Sequence, residues 1–298
     1  MAVVDNNKPD TVAMLTGEPM SRHTSWRVGG PADRFCTPTS IAELSELLAS
    51  LPEDESICWV GLGSNLLVRD GGVRGTVIAT HGFLTGIEQL DEHHVRVESG
   101  VPCAKLAKRS AAWGLGSAEF FAGIPGTVGG ALAMNAGAFG GETWRHVTSV
   151  ETIDRQGCRR RREPSEYQIA YRSVRGPDNE WFLSADLYFE RGDTGREDIR
   201  EVLARRKATQ PIGLPSCGSV FRNPTGDYAA RLIEAAGLKG LCIGGACVSE
   251  MHANFIINTG DATAADIENL ISHIQEKVAE THGVALYPEV RIIGEVSL

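Results

Sequence analysis

The sequence predicts an α+β fold, glycine-rich over its first two-thirds and closed by a smaller final third. Helical and strand-like patterns intermingle without regular βαβ alternation. Glycine supplies 34 of 298 residues, well above the usual ~7%, with no collagen-like period. The densest glycine clusters fall in two short segments, where tight turns and close ligand approach are expected.

Taken in order, Ser40 is placed to cap a helix reaching about Leu51, because Ile41, Leu44, Leu47, Leu48 and Leu51 follow the 3.6-residue period. Ile57–Gly61 reads as a buried strand entering the turn Gly61-Leu62-Gly63-Ser64-Asn65. A strand at Val95–Ser99 precedes a helix near Pro102–Trp113, and the second glycine-rich stretch follows. Val147–Asp154 and Cys158–Glu163 form a hairpin about Arg155-Gln156-Gly157, and Trp181–Glu190 is a further strand. Glu197–Thr209 is a charged helix stopped near Pro211, placed to carry the crossing between two domains. Beyond it come a short strand Ser219–Arg222, a helix Tyr228–Ala236, a strand Asn254–Asn258, a long helix from the N-cap Thr263 to Thr281, and a last strand Ala285–Ile293. The four-arginine run Arg159–Arg162 reads as a solvated edge strand, where charge discourages unwanted pairing.

Composition removes several classes. Lysine plus arginine is 29 and aspartate plus glutamate 38, a net charge of −9. That balance argues against a nucleic-acid partner, which needs a basic footprint. Met1–Asp10 is polar, no export signal is evident, and no apolar run nears a membrane span. A cytoplasmic chain with no membrane partner is expected; nothing specifies its oligomeric state. The seven cysteines are odd in number and hold no CxxC pair. Reduced thiols are therefore expected, with neither a disulfide framework nor a zinc site, and the histidines show no metal-ligand spacing.

The chemistry lies in short segments. Gly61, Gly63, Ser64 and Asn65 follow a strand, where backbone N–H groups can cradle a phosphate. Leu66 occupies the third glycine position of a dinucleotide fingerprint and no P-loop lysine follows, so both of those folds are disfavoured. The second segment holds Gly123, Ile124, Pro125, Gly126, Thr127, Gly129, Gly130, Asn135, Gly137 and Ala138. Its small residues admit a flat or anionic ligand, and Thr127 is placed to cap a helix facing a diphosphate. Two such segments favour a phosphate-bearing cofactor over packing alone. Tyr171-Arg172-Ser173 offers an arginine suited to carboxylate contacts. In Gly218-Ser219-Val220-Phe221-Arg222-Asn223-Pro224, Ser219 can give up a proton if the reaction makes a strong base beside it. Glu289 lies in an apolar run, which is costly for a carboxylate unless it is paired or functional. His252 reads as a structural histidine, and Trp113, Trp144 and Trp181 as core residues rather than flavin platforms.

In this order the segments resemble the UDP-N-acetylenolpyruvoylglucosamine reductase family. The matching stretches include Thr24-Ser25-Trp26-Arg27-Val28-Gly29-Gly30-Pro31-Ala32-Asp33, Gly61–Leu67, Gly123–Gly130, Asn135–Ala138, Tyr171–Ser173, Gly218–Pro224 and Pro288-Glu289-Val290. The glycine-rich part alone resembles the wider vanillyl-alcohol-oxidase type of FAD protein. The resemblance implies a two-part FAD-binding domain, 1–86 and 87–195, and an α+β substrate domain, 196–298. The short span from Ser219 to Glu289 is similar to the family's shorter form. The implied cofactors are FAD and NADPH and the implied substrate is UDP-N-acetylglucosamine enolpyruvate. NADPH reduces FAD and leaves; the sugar then takes its space and receives hydride at C3 of the enolpyruvyl group. By motif match, Arg172 and Glu289 stabilise the enolate and Ser219 protonates C2, with Tyr171, Arg222, Asn223 and His252 on the substrate. Glu289 serves beside a carboxylate only if one of the two holds a proton, so a raised Glu289 pKa is expected. Tyr287, Cys217, Arg222 and Met251 depart from the usual residues at their positions without removing a proposed catalytic group. A different FAD oxidase of the same superfamily and a non-catalytic nucleotide-sugar binder are the competing readings.

Overall fold

The computed structural model describes residues 13–192 and 195–297. The polar opening Met1–Asp10 lies outside the described residues. Three layered units follow one another along the chain.

The first is a four-stranded sheet in the order Met14–Pro19, Pro31–Cys36, Val73–Ala79, Ile57–Val60. Its first pair is antiparallel and the other two are parallel. The helix Ile41–Ser50 buries Leu44, Leu47 and Leu48 against Ile78. Ser40 Oγ accepts from the Glu43 N–H at 3.1 Å, so the expected N-cap forms.

The second is a five-stranded antiparallel sheet in the order Arg159–Arg162, Val147–Asp154, Glu180–Tyr188, His94–Glu98, Ile87–Gln89. The arginine run is its edge strand. Its charges are met by neighbours: Arg159 by Glu151, Arg160 by Asp154, Arg161 by Asp186 and Arg162 by Glu180. The apolar face, with Val95, Val97, Val150, Ala185 and Leu187, packs on the helices Cys103–Ala112 and Val128–Met134. Ile199 and Val202 of the helix Gly195–Thr209 join this same core. Trp144 is buried and donates to the Leu132 carbonyl at 2.8 Å, and Trp181 stacks on Trp59.

The third unit packs the helices Ala229–Ala235 and Ala264–His282 on a small sheet, Cys242–Ile243, Ala246–Val248 and Ile256–Asn258. Thr263 caps the long helix, Oγ1 accepting from the Asp266 N–H at 3.0 Å. Trp26 from the first unit is wholly buried in this core, donates to the Ile256 carbonyl at 2.7 Å, and accepts from Asn258 Nδ2 at 2.9 Å through its own carbonyl. The chain then returns: Arg291–Ile293 pairs in parallel with Leu66–Val68. The first unit thus grips the third at both Trp26 and the last strand.

Three expectations need correction. Ser219–Arg222 is not a strand: only Phe221 bridges Pro288, and its N–H is taken by the Asn254 side chain at 2.9 Å. The expected strand Ala285–Ile293 is regular only over Arg291–Ile293, because Pro288 lacks the N–H a ladder needs. The cysteines are not all reduced thiols: Cys242 and Cys247 form a disulfide. The turn Gly244-Gly245, with Gly244 at φ 52°, sets the two directly opposite in antiparallel register, Cα to Cα 4.1 Å.

No helix among the described residues is long and apolar enough to cross a membrane.

Candidate active site

The two glycine-rich segments meet. Gly63 has φ 60°, and a side chain there would run into the His23 carbonyl. A Cβ at Gly126 would stand 3.2 Å from Ser64 Oγ, so the loops after Val60 and after Gly123 face each other closely. Thr127 Oγ1 accepts from the Gly130 N–H at 3.4 Å and caps the helix Val128–Met134 as the sequence predicts. Between the loops opens a cleft of about 340 Å³, lined by Ser64, Pro125 and Gly218 together with Arg27, Arg206 and Gln210.

Not every expected cofactor residue is free to face that cleft. A Cβ at Gly123 would meet the Phe139 ring at 2.7 Å, and one at Gly129 would meet Ser99 Cβ at 2.8 Å; both glycines serve close packing. A Cβ at Gly61 would meet Thr127 Oγ1 at 2.5 Å, so Gly61 lets the two loops touch. Asn135 is buried in the left-handed conformation at φ 48°. Its Oδ1 accepts from the Trp144 N–H at 3.1 Å, and its Nδ2 donates to Glu142 and to the Ala170 carbonyl at 3.2 Å. Asn65 Nδ2 donates to the Glu289 carbonyl at 3.2 Å. Ile124 is buried, and Gly137 and Ala138 pair with Gly141 and Glu142 in a short hairpin.

Tyr171 and Arg172 form the turn of the hairpin Gln168–Ala170 and Ser173–Arg175, with Arg172 at φ 53°. Its guanidinium carbon lies 5.1 Å from the centre of the exposed Tyr171 ring. Arg172 Nη2 donates to the Gly137 carbonyl at 2.8 Å, and Nη1 to that of Asn135 at 3.4 Å. Its Nε stands 3.0 Å from Glu289 Oε1. The Nε–H bond is not directed along that line, so the contact is an ion pair more than a hydrogen bond.

Glu289 donates its N–H to the Val220 carbonyl at 2.7 Å. Burial pushes its carboxyl above the ordinary glutamate range, against the opposing pull of Arg172 and, more weakly, Arg222. That direction is the one expected from sequence. Ser219 sits between Gly218, which lines the cleft at φ 72°, and Val220, which bonds Glu289. The structure therefore brings Arg172 and Glu289 into contact and sets Ser219 on the segment hydrogen-bonded to Glu289.

Arg222 Nε is buried without a protein partner, which suits an arginine that receives an anion. The other expected substrate residues have local duties. Asn223 Oδ1 accepts from the Ala229 N–H at 3.1 Å, supporting the first turn of the helix Ala229–Ala235. His252 Nδ1 accepts from the Asn254 N–H at 3.3 Å, and its ring meets Phe255, itself on the cleft, edge-on. Burial holds its imidazole below the usual histidine value.

Sequence reasoning missed Arg27 and Arg206 as cleft cations. Arg206 is one of several charges on a charged helix, where nothing marks the one that points inward. Arg27 carries a signal only in hindsight: it lies inside the stretch that docks Trp26.

Comparison with known proteins gives the family. Residues 32–161 match the model of an FAD binding domain, and residues 210–293 match that of the UDP-N-acetylenolpyruvoylglucosamine reductase C-terminal domain. The chain is 59% identical to the reductase of that name from Alkalilimnicola ehrlichii over 280 residues, covering 93% of this chain and 94% of that one. It is 56% identical to the corresponding protein of Methylococcus capsulatus, over 96% and 95% of the two chains. The crystal structure of the reductase from Thermus caldophilus superposes with a TM-score of 0.80 at 32% identity, over 94% of this chain and 98% of that one. Likeness of this extent, along essentially the whole length, shows that the chain belongs to the UDP-N-acetylenolpyruvoylglucosamine reductase family.

Proposed function

We propose that the chain converts UDP-N-acetylglucosamine enolpyruvate to UDP-N-acetylmuramate, an oxidoreductase step of peptidoglycan precursor synthesis that uses FAD and NADPH. The observation that carries the reading is the Arg172–Glu289 pair at 3.0 Å, tied through the Glu289 carbonyl to Asn65, the neighbour of the cleft residue Ser64.

The residues fit the cofactor. Ser64 and Pro125 bound the cleft, and Arg27 and Arg206 supply positive charge for a diphosphate. Bound there, FAD would supply the hydride chemistry that links NADPH to the enolpyruvyl group.

The chain's own residues manage the charge that follows. Negative charge develops at C2 and spreads into the adjacent carboxylate. Arg172, held by the Gly137 and Asn135 carbonyls, is fixed in place before that charge appears, the condition for effective electrostatic stabilisation. Burial raises the Glu289 carboxyl against the pull of Arg172, the direction that favours sharing a proton with that carboxylate over repelling it. Ser219 gives its proton to C2; serine is a weak acid, but the developing centre is a strong base. Arg222, Tyr171, Asn223 and His252 complete the reading on the sugar-nucleotide side. We read 1–86 and 87–195 as the FAD-binding parts and 196–298 as the substrate part. Both nucleotides are charged and do not cross membranes unaided, which supports a cytoplasmic enzyme.

The test is anaerobic. Purified holoprotein should show a visible flavin band, NADPH should bleach it, and the enolpyruvyl sugar should restore it with one UDP-N-acetylmuramate formed per flavin. Recolouring by oxygen but not by the sugar would overturn the reading in favour of an oxidase.

A further inference from the structure

We propose that Asn65 is a positioning residue for Glu289, fixing through the Glu289 carbonyl where its carboxylate meets Arg172. The inference rests on the role given to Glu289 above and assigns Asn65 a duty other than holding the cofactor.

Glu289 lies where the chain is least regular. Pro288 precedes it and interrupts the ladder, and pairing with Leu66–Val68 begins only at Arg291. On one side its N–H goes to the Val220 carbonyl at 2.7 Å. On the other side, among the described residues, no backbone N–H donates to its carbonyl. The Asn65 amide fills that gap: Nδ2 donates to the Glu289 carbonyl at 3.2 Å. The Asn65 main chain takes the next step, its carbonyl accepting from the Arg291 N–H at 3.0 Å. Asn65 therefore holds residues 289 and 291 together, one by side chain and one by backbone. Its Nδ2 is also 3.5 Å from Met134 Sδ, so the donor is turned inward toward protein.

The consequence is mechanical. Val220 and Asn65 grip the Glu289 peptide from opposite sides. With its backbone fixed, the side chain starts from one place, and its carboxylate reaches Arg172, whose guanidinium is itself held by the Gly137 and Asn135 carbonyls. Without the amide, the Glu289 carbonyl has one solution left, water, and the segment shifts toward it. The side chain would then sample positions off the Arg172 contact, where it is better solvated.

A double-mutant cycle reads this out. Asn65→Ala, Asn65→Gln, Glu289→Gln and the double variant Asn65→Ala/Glu289→Gln are compared as holoproteins in anaerobic stopped flow. Bleaching by NADPH and recolouring by the enolpyruvyl sugar are timed separately. In Asn65→Ala the ratio of recolouring to bleaching rate should fall at least about tenfold, and in the Glu289→Gln background the same substitution should change that ratio less than about twofold. The pH above which recolouring slows should move down in Asn65→Ala, because a loosened Glu289 is more solvated and ionises earlier. Asn65→Gln, which keeps a donor, should recover part of the loss. A loss of bound flavin in both Asn65 variants, or equal slowing of both half-reactions, would overturn the inference in favour of a cofactor ligand. So would additivity in the double variant. Normal recolouring by Glu289→Gln alone would instead remove the role given to Glu289, whatever Asn65 does.

Discussion

Arg69 grips Glu268 from across two units of the fold: Nε meets Oε2 at 2.9 Å and Nη2 meets Oε1 at 2.7 Å. The neighbouring Asp70 reinforces it, its two carboxylate oxygens accepting from the Ala264 and Ala265 N–H groups at 3.0 Å each. Two consecutive residues of the first unit thus clamp the start of the long helix of the third. The pair is about a third exposed on each side, so solvent screens it. Arg69→Ala should therefore lower stability by only ~1 kcal/mol, read from the urea midpoint. Arg69 holds the Glu268 carboxyl below the ordinary glutamate range. A depressed folded-state value gives stability that is present above the unfolded value and lost as pH falls through the folded one. The gap between wild type and Glu268→Gln should be open at neutral pH and close only as pH falls below the ordinary glutamate value. A gap that persists to low pH would refute the ionic account.

Ser219→Ala should still be bleached by NADPH, while recolouring by the enolpyruvyl sugar should slow about 10²–10⁴-fold, the range for losing a positioned proton donor. The serine stands on the segment that bonds Glu289. Stopped-flow traces of the two half-reactions decide it; unchanged recolouring would mean the proton comes from elsewhere.

Glu289 titrates in the opposite sense from Glu268. Its folded value is raised, so its contribution to stability is full below the ordinary glutamate value and is lost as pH rises through the folded one. Recolouring by wild type should fall over that same rise. Glu289→Gln should slow recolouring about 10²-fold or more and flatten this pH dependence. A Gln variant that keeps the wild-type pH profile would show that another group titrates.

Much of this was legible because it is local. Ser40, Thr127 and Thr263 cap the helices that their side chains mark, and the hairpin about Arg155-Gln156-Gly157 turns on Gly157 at φ 76°. The sheet order was not legible. Arg291–Ile293 pairs with Leu66–Val68, and no pattern in either triplet names the other. The same holds within the site. The glycines advertised close approach, but not which approach. Gly126 faces Ser64 across the cleft, whereas Gly129 faces Ser99 in the core. The polarity of Asn65 and Asn135 is legible in sequence, but not the Glu289 and Ala170 carbonyls that they meet. Arg172 and Glu289 were named by motif, and only the fold supplies their 3.0 Å contact.

Cys242 and Cys247 give the last prediction, because here a composition rule failed. An odd number of cysteines without CxxC argues for free thiols, but register overrides it. The Gly244-Gly245 turn puts the two opposite each other, and five free cysteines remain: Cys36, Cys58, Cys103, Cys158 and Cys217. Cys103 and Cys217 are buried, and burial pushes both thiols well up, Cys217 to about 12. They should resist reaction in the native protein. Air-purified protein unfolded without reductant should then show five reactive thiols, and seven after reduction. Because the closed loop is short, Cys247→Ser should cost at most ~2 kcal/mol, and added dithiol should erase the difference from wild type. Seven reactive thiols before reduction would sink the pairing.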